Sequence, residues 1–278
     1  MKPAFLLTLL LTCFLASAQY YYKDIIGTKE TTDLIKNYRN NKVSRVVLNS
    51  YDADDTKSED FFVEQIFSPS EQTLKTITRS GVTGESVLIA FADANGNIIK
   101  TVDSSETSTS VTVYNYSPNG ALVSVLGSST DTAKSVSQAE EHYWEYENGK
   151  VVKMLRIKDK KDTTHVSFKM DEKGNVTEER SVRKGIPSEP VYYYYDGNNR
   201  LTDIVRFSNK AKRLLPEYMF EYSPANQVIQ KITVPSNGSN YLIWRYQYDG
   251  RGLKVREAVF DKYKQLTGKI EYQYQFGS

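Results

Sequence analysis

The chain has 278 residues, a formal net charge of +2 and an apolar fraction of 39%, enough for a large folded core. One cysteine and two histidines exclude a disulfide scaffold and a Cys/His metal site. Residues 19–140 carry 11 Lys/Arg against 16 Asp/Glu and residues 141–278 carry 24 against 18. Short mixed runs such as KDKKD (158–162) and NKAKR (209–213) read as solvated loops, and no nucleic-acid-binding motif accompanies them.

Residues 1–18 have the layout of a secretory signal peptide. Lys2 supplies the positive start, Phe5 to Leu15 the apolar stretch, and Ala16-Ser17-Ala18 the small-residue cleavage pattern. The apolar run is shorter than the roughly 20 residues a membrane helix needs. Cys13 lies inside that run, so cleavage leaves a mature chain without cysteine. An exported protein is expected, in the periplasm, at the cell surface or outside the cell. Residues 19–37 form an N-terminal segment. Within and just beyond it TKETTDLIKNYR (28–39) is the one helical pattern, with Thr28 as its cap.

From residue 38 to 278 one pattern recurs: aromatic, any residue, aromatic, D/S/E, a short turn with Gly or Asn, then an apolar residue. Clear copies are YNYSPNGAL (114–122), WEYENGKV (144–151), FKMDEKGNV (168–176), VYYYYDGNNRL (191–201), FEYSPANQV (220–228) and YQYDGRGL (246–253). Weaker copies are NYRNNKV (37–43), FSPSEQTL (67–74) and FADANGNI (91–98). Nine copies at a spacing of 24 to 30 residues cover the mature chain. Gly and Asn suit the positive-φ positions of a tight turn, and the flanks alternate with period two, so each unit reads as a β-hairpin.

Stacking the copies aligns Tyr116, Tyr146, Met170, Tyr195, Tyr222 and Tyr248 in one column. Tyr114, Trp144, Phe168, Tyr193, Phe220 and Tyr246 form a second, two residues earlier. The residues between them are polar, so one face is an aromatic ladder and the other is wet. The four tyrosines of VYYYY divide accordingly: Tyr193 and Tyr195 inward, Tyr192 and Tyr194 outward. Ile89, Phe91 and Val113 break the pattern by being apolar on the outer face, which predicts burial on both sides or a register change there. A ladder this long must be covered. The fold predicted is all-β: repeated antiparallel hairpins in a long twisted meander, rolled or closed.

YYYDGNNRL and YQYDGRGL resemble the YD repeats of Rhs-type bacterial proteins, and YENGKV is similar to the short hairpin repeats of MORN-like bacterial proteins. The resemblance spans roughly residues 38 to 276. It implies a β-sheet shell and a role at or beyond the cell surface, in some members associated with carbohydrate. No toxin domain follows the last strand, so toxin delivery is not implied.

Catalytic signatures are absent: no HExxH, Walker A, GxSxG or paired Cys/His spacing occurs. His142 and His165 read as strand residues at the surface or core rim. Glu140/Glu141 and Glu178/Glu179 are adjacent in strands and therefore face opposite sides. The acidic run DADDTKSED (52–60) reads as a solvated loop and not a calcium site, and DANGN (93–97) as turn chemistry. No cofactor or metal is expected. The candidate binding residues are the outward aromatics Tyr143, Tyr192 and Tyr194, suited to a glycan or a cell-surface protein. The leading expectation is thus an exported, non-catalytic repeat protein that binds a surface partner through its repeat face. An outer-membrane β-barrel is the alternative, supported by the closing strand IEYQYQF and opposed by strands such as VTEERSV (176–182), charged on both faces. A hydrolase with an unrecognised site stands third.

Overall fold

A computed structural model describes residues 20–131, 136–208, 211–235 and 240–277; the leader expected over residues 1–18 lies outside these. The chain opens with helix α1 (Lys23–Asn40), followed by β1 (Val43–Asp52), β2 (Lys57–Ser68), β3 (Thr73–Ser80), β4 (Gly84–Ala92), β5 (Ile98–Ser105) and β6 (Ser108–Tyr116). Next come β7 (Leu122–Asp131), β8 (Val136–Glu147), β9 (Lys150–Lys158), β10 (Asp162–Met170), β11 (Val176–Arg183) and the two-residue β12 (Ile186–Pro187). β13 (Val191–Tyr195), β14 (Leu201–Ser208), β15 (Arg213–Tyr222), β16 (Val228–Thr233), β17 (Leu242–Tyr248), β18 (Lys254–Phe260) and β19 (Leu266–Phe276) complete the chain.

Every strand but β12, which pairs only with β11, pairs antiparallel with the strands on either side of it, and β1 pairs with both β2 and β19. The meander therefore closes on itself. Because β11 also pairs directly with β13 past the short β12, the ring is a barrel of 18 full strands. Closure removes both free edges, which an open sheet would leave as pairing templates.

The repeat explains one mouth of the barrel in detail. At six of the units' turns the backbone N–H of an Asp or Ser donates to the carbonyl four residues on, as in Asp171 to Asn175, Asp196 to Arg200 and Asp249 to Leu253, while WEYENGKV turns in two residues, Glu147 pairing with Lys150. The Asp196 carboxylate accepts from the N–H groups of Asn198 and Arg200, both at about the ideal distance (2.9 and 3.0 Å). The positive φ this turn requires falls on Gly174 (φ 89°) in one copy and on Asn199 (φ 67°) in the next, the two residue types that tolerate it. NYRNNKV departs from the series: residues 37–40 belong to α1, and Lys42 (φ 55°) turns the chain into β1. That copy is a helix end, not a hairpin.

The tyrosine before each anchor has a specific task. In these copies the residue sits at a β-bulge, between Asn115 and Tyr116, Glu145 and Tyr146, Tyr194 and Tyr195, Glu221 and Tyr222, and Gln247 and Tyr248. Its hydroxyl then donates to a carbonyl on the neighbouring strand: Tyr116 to Ile98, Tyr146 to Leu122, Tyr195 to Val176, Tyr222 to Leu201 and Tyr248 to Val228. Tyr274 of β19 does the same to Lys254. Each latch satisfies a backbone acceptor and is worth about 1 kcal/mol. Met170 occupies the same position without a hydroxyl.

The second aromatic column also points inward, and Trp144 stacks on Phe168 with ring centroids 5.5 Å apart. This overturns the leading functional expectation. The inward aromatic ladder lines the lumen of a closed ring, which is the architecture of the barrel alternative and not that of a repeat protein offering an open face to a partner. Ile89, Phe91 and Val113 are not buried on both sides, and the register changes only past Phe91, at a bulge before Ala92. Ile89 pairs with Val102, Phe91 with Lys100 and Val113 with Leu126 in unbroken outward rows, all partly exposed.

Candidate functional site

Helix α1 lies inside the barrel and bridges it. Its start touches β8, β10, β11 and β13; its end touches β2, the β4–β5 turn, the β17–β18 turn and β19. In a ring of 18 strands, β1 and β10 lie on opposite sides. An 18-residue helix is about 27 Å long, which matches the free interior of a barrel of this strand number (~25 Å after subtracting side chains). The helix is polar on most of its faces, with Asp24, Lys29, Glu30, Asp33, Lys36 and Arg39 along its length. Such a helix is stable where its surroundings are polar too.

The helix start is fixed by buried carboxylates. Glu179 of β11 accepts the N–H groups of Tyr21 and Tyr22, each at 2.9 Å, and the Tyr193 hydroxyl at 2.8 Å. It replaces a side-chain cap, which Tyr22 does not supply, and places negative charge at the positive end of the helix. Burial pushes the Glu179 carboxyl up, and the donors from Tyr21, Tyr22 and Tyr193 counteract only part of it. Around it Tyr22 packs edge-on against Tyr193 at 5.4 Å and Tyr20 against Tyr218 at 5.9 Å.

One turn on, Asp24 Oδ2 meets His142 Nδ1 at 2.5 Å, while His142 Nε2 meets Glu140 at 3.0 Å. Arg156 donates to the other Glu140 oxygen at 2.6 Å, and Asp162 joins Arg156 to Arg183. Only 2% of His142 is exposed. Burial opposes charge on its ring, but Asp24 and Glu140 outweigh that and raise its pKa to about 9. Burial likewise works against the Glu140 anion, yet His142 and Arg156 bring its pKa down to about 2. At neutral pH the ring is an imidazolium held between two carboxylates, with neither nitrogen free to take a proton.

At the far end Tyr38 is buried among Ile35, Phe67 and Tyr274 and donates to Gln65 at 2.7 Å. Asn37 donates to the Gly252 carbonyl, and Arg39 to that of Ala94. The helix divides the mouth. On one side a cleft of about 530 Å³ runs between α1 and the turns, lined by Tyr22, Lys36, Tyr116, Tyr146 and Lys150 among others. On the other, Glu30 faces Lys231 and Lys254. Burial raises Glu30 against the pull of both lysines, and burial lowers Lys231.

The residues singled out in the sequence are dispersed. Tyr192 and Tyr194 do share the outer face of β13. Tyr143 lies outward on β8, with β9, β10 and β11 between, and its hydroxyl donates to Glu141. No single strip unites the three. His165 is outward and exposed on β10, whereas His142 is buried against α1 and is not at the surface or core rim. The helix that places Asp24 beside it begins five residues earlier than the sequence pattern indicated. Glu178 and Glu179 do face opposite sides, the first outward to Lys169 and Arg180, the second inward to α1. In the β1–β2 turn, Asp52 accepts from Ser58 and Asp55 pairs with Lys269. Among the described residues no group of three His, Cys, Asp or Glu side chains stands in a metal-holding arrangement, and no helix is long and apolar enough to cross a membrane.

No family model and no curated protein matches the chain. Among solved structures it is similar to a porin-like protein from Bacteroides uniformis at 10% identity and a TM-score of 0.42, covering 84% of this chain and 97% of that one. It is similar at 14% identity and a TM-score of 0.20 to a porin-like protein from Bacteroides vulgatus, covering 84% and 98%. A chain of the Photorhabdus luminescens Tc holotoxin pore matches at 9% identity and a TM-score of 0.31, over 82% of this chain and 15% of that one.

Proposed function

We propose that the chain is an exported, non-enzymatic β-barrel of the bacterial outer envelope, stationed at the outer membrane, with its lumen braced and obstructed by its own N-terminal helix. The observation that carries this reading is the closed ring, β1 on β19, with α1 anchored to opposite walls. Closed antiparallel barrels are the form in which strands are compatible with a bilayer. The leader over residues 1–18 supports export. The helix and its buried ion pairs support a plugged structure over an open channel.

The wall chemistry favours a seat on the membrane and not through it. Lys153, Lys169, Arg180, Arg245 and Arg256 stand on outward rows of the barrel. Each such cation costs about 2–4 kcal/mol at the bilayer midplane and about 0–1 near an interface; Lys153, Arg180 and Arg245 stand mid-strand, whereas Lys169 and Arg256 lie close to strand ends. Fractionation of native cells tests the reading. Recovery in the outer-membrane pellet with release by alkaline carbonate is the expected result. Recovery wholly in the soluble periplasm or the medium would overturn the membrane station. Release by detergent alone, with heat-shifted gel mobility, would overturn the peripheral seat.

A further inference from the structure

The outer wall is not uniform. Across β8 to β19 charged and polar pairs recur on it, Glu145 beside Lys153, Lys169 beside Glu178, Gln247 beside Arg256, and Arg256 beside Glu271, with one apolar row, Met219, Ile232, Ile243 and Phe260, crossing β15 to β18. Across β2 to β7 the outer face is largely apolar, while the inner face stays apolar too, with Val63, Phe67, Leu74, Ala90 and Ile98 in the core. There the inward positions include buried Thr76, Thr101 and Thr112, and the outward ones are aliphatic or aromatic. One outward row runs Ile66, Lys75, Ile89, Val102, Val111. The next runs Phe91, Lys100, Val113, Leu126, and a third pairs Ile77 with Val87. With strands ~4.8 Å apart and same-face residues ~6.7 Å apart along each strand, the patch is about 20 Å on a side. That is the size at which an exposed apolar patch marks an interaction site.

Two features of the patch identify what covers it. Its acidic neighbours are already committed, Glu64 to Arg45 and Glu85 to Arg79. Lys75 and Lys100 stand within the apolar rows with no carboxylate partner among the described residues, and the Lys100 ammonium lies 5.6 Å over the Phe91 ring. Lysine stems lie along apolar surface while their ammonium groups reach outward, the pattern that suits an interface between acyl chains and anionic headgroups. A second copy of the chain fits poorly, because a two-fold contact through this patch would bring the lysines of both copies together with the nearby Glu64 and Glu85 already paired. We infer that the β2–β7 wall is a lipid-docking face that seats the barrel on an anionic phospholipid surface. This rests on the membrane station proposed above and says which wall makes it.

The test is vesicle co-sedimentation of the mature chain. The probes are vesicles of phosphatidylethanolamine with phosphatidylglycerol, compared with vesicles of phosphatidylcholine alone. Binding to the first and weak binding to the second is expected. Lys75→Glu with Lys100→Glu should weaken it roughly 25-fold or more, from about fivefold per lysine lost. Ile89→Thr with Val111→Thr, substitutions that keep strand-forming side chains, should weaken binding to both vesicles while leaving the melting curve in place. Lys153→Glu with Lys169→Glu, on β9 and β10 outside the patch, should leave binding unchanged. Equal loss from both lysine pairs, or no binding by the parent chain, overturns the proposal. So does dimerisation in light scattering that the Ile89 and Val111 variant abolishes. Vesicle binding is read in vitro, so it stands or fails independently of where cell fractionation finds the protein.

Discussion

Replacing Asp24 by Asn tests whether the ion cluster at the helix start is what holds the helix in place. The substitution keeps the side chain's shape and removes one of the two carboxylates flanking His142. His142 has its pKa raised from an ordinary 6.5 to about 9, a difference of about 3 kcal/mol. The loss expected on breaking a buried ion pair is of the same size, about 3–5 kcal/mol. Because the folded-state value is the raised one, this stabilisation is complete below pH 6.5 and disappears as pH rises through about 9. The parent protein should therefore lose up to about 3 kcal/mol across that window. Asp24→Asn should start about 2–3 kcal/mol lower near pH 6 and decline much less, since Glu140 alone holds the ring charge. The assay is urea unfolding followed by fluorescence of the buried Trp144, repeated across the pH series, with hydrogen exchange of the α1 amides in parallel. Equal pH slopes for Asp24→Asn and the parent between pH 6.5 and 9 would refute the reasoning.

Three further outcomes are expected. Tyr195→Phe removes one latch to a backbone carbonyl and should cost about 1 kcal/mol; Met170→Tyr, supplying the hydroxyl missing from the series, should gain a similar amount, both read from melting midpoints. Glu179→Ala leaves the Tyr21 and Tyr22 N–H groups and the Tyr193 hydroxyl unsatisfied at about 1–3 kcal/mol each. Limited proteolysis should then cut within residues 20–30, with Glu179→Gln intermediate. Acidification should weaken the Glu140 contribution only as pH falls from 4.5 through about 2, visible as an acid limb in the same melting series.

Much of the wall was legible because its signal repeats. Asp/Ser anchors, Gly or Asn at the positive-φ position and aromatics at every second residue each recur, so chance at one copy is outvoted by the others. The division of the four tyrosines followed from strand alternation alone: Tyr193 is 2% exposed and Tyr194 48%. Closure was legible as one of two outcomes, rolled or closed, because a ladder this long must be covered; what was not legible was the seam, since β1 carries no sequence mark that it meets β19. Nor was the brace. Its residues are polar because their partners are luminal, so KDIIGTKE carries little apolar periodicity to reveal it. The importance of His142 and Glu179 was hidden for the same reason. Their partners are 118 and 157–158 residues away in the chain. The apolar outer face of β2–β7 was visible at Ile89, Phe91 and Val113, but its meaning depended on knowing which side faces out.

The brace also bears on how the repeat number can vary. Solenoid arrays tolerate gain or loss of a unit, because each unit meets only its neighbours. Here a rod of fixed length, about 27 Å, touches walls half a circumference apart, so it acts as a gauge of the ring. Inserting or deleting one hairpin changes the diameter by roughly a ninth and leaves either Glu179 or Gln65 out of reach of its partner on α1. Among homologues of this architecture, copy number should therefore change only together with helix length. A barrel with two more strands should carry close to one additional helical turn.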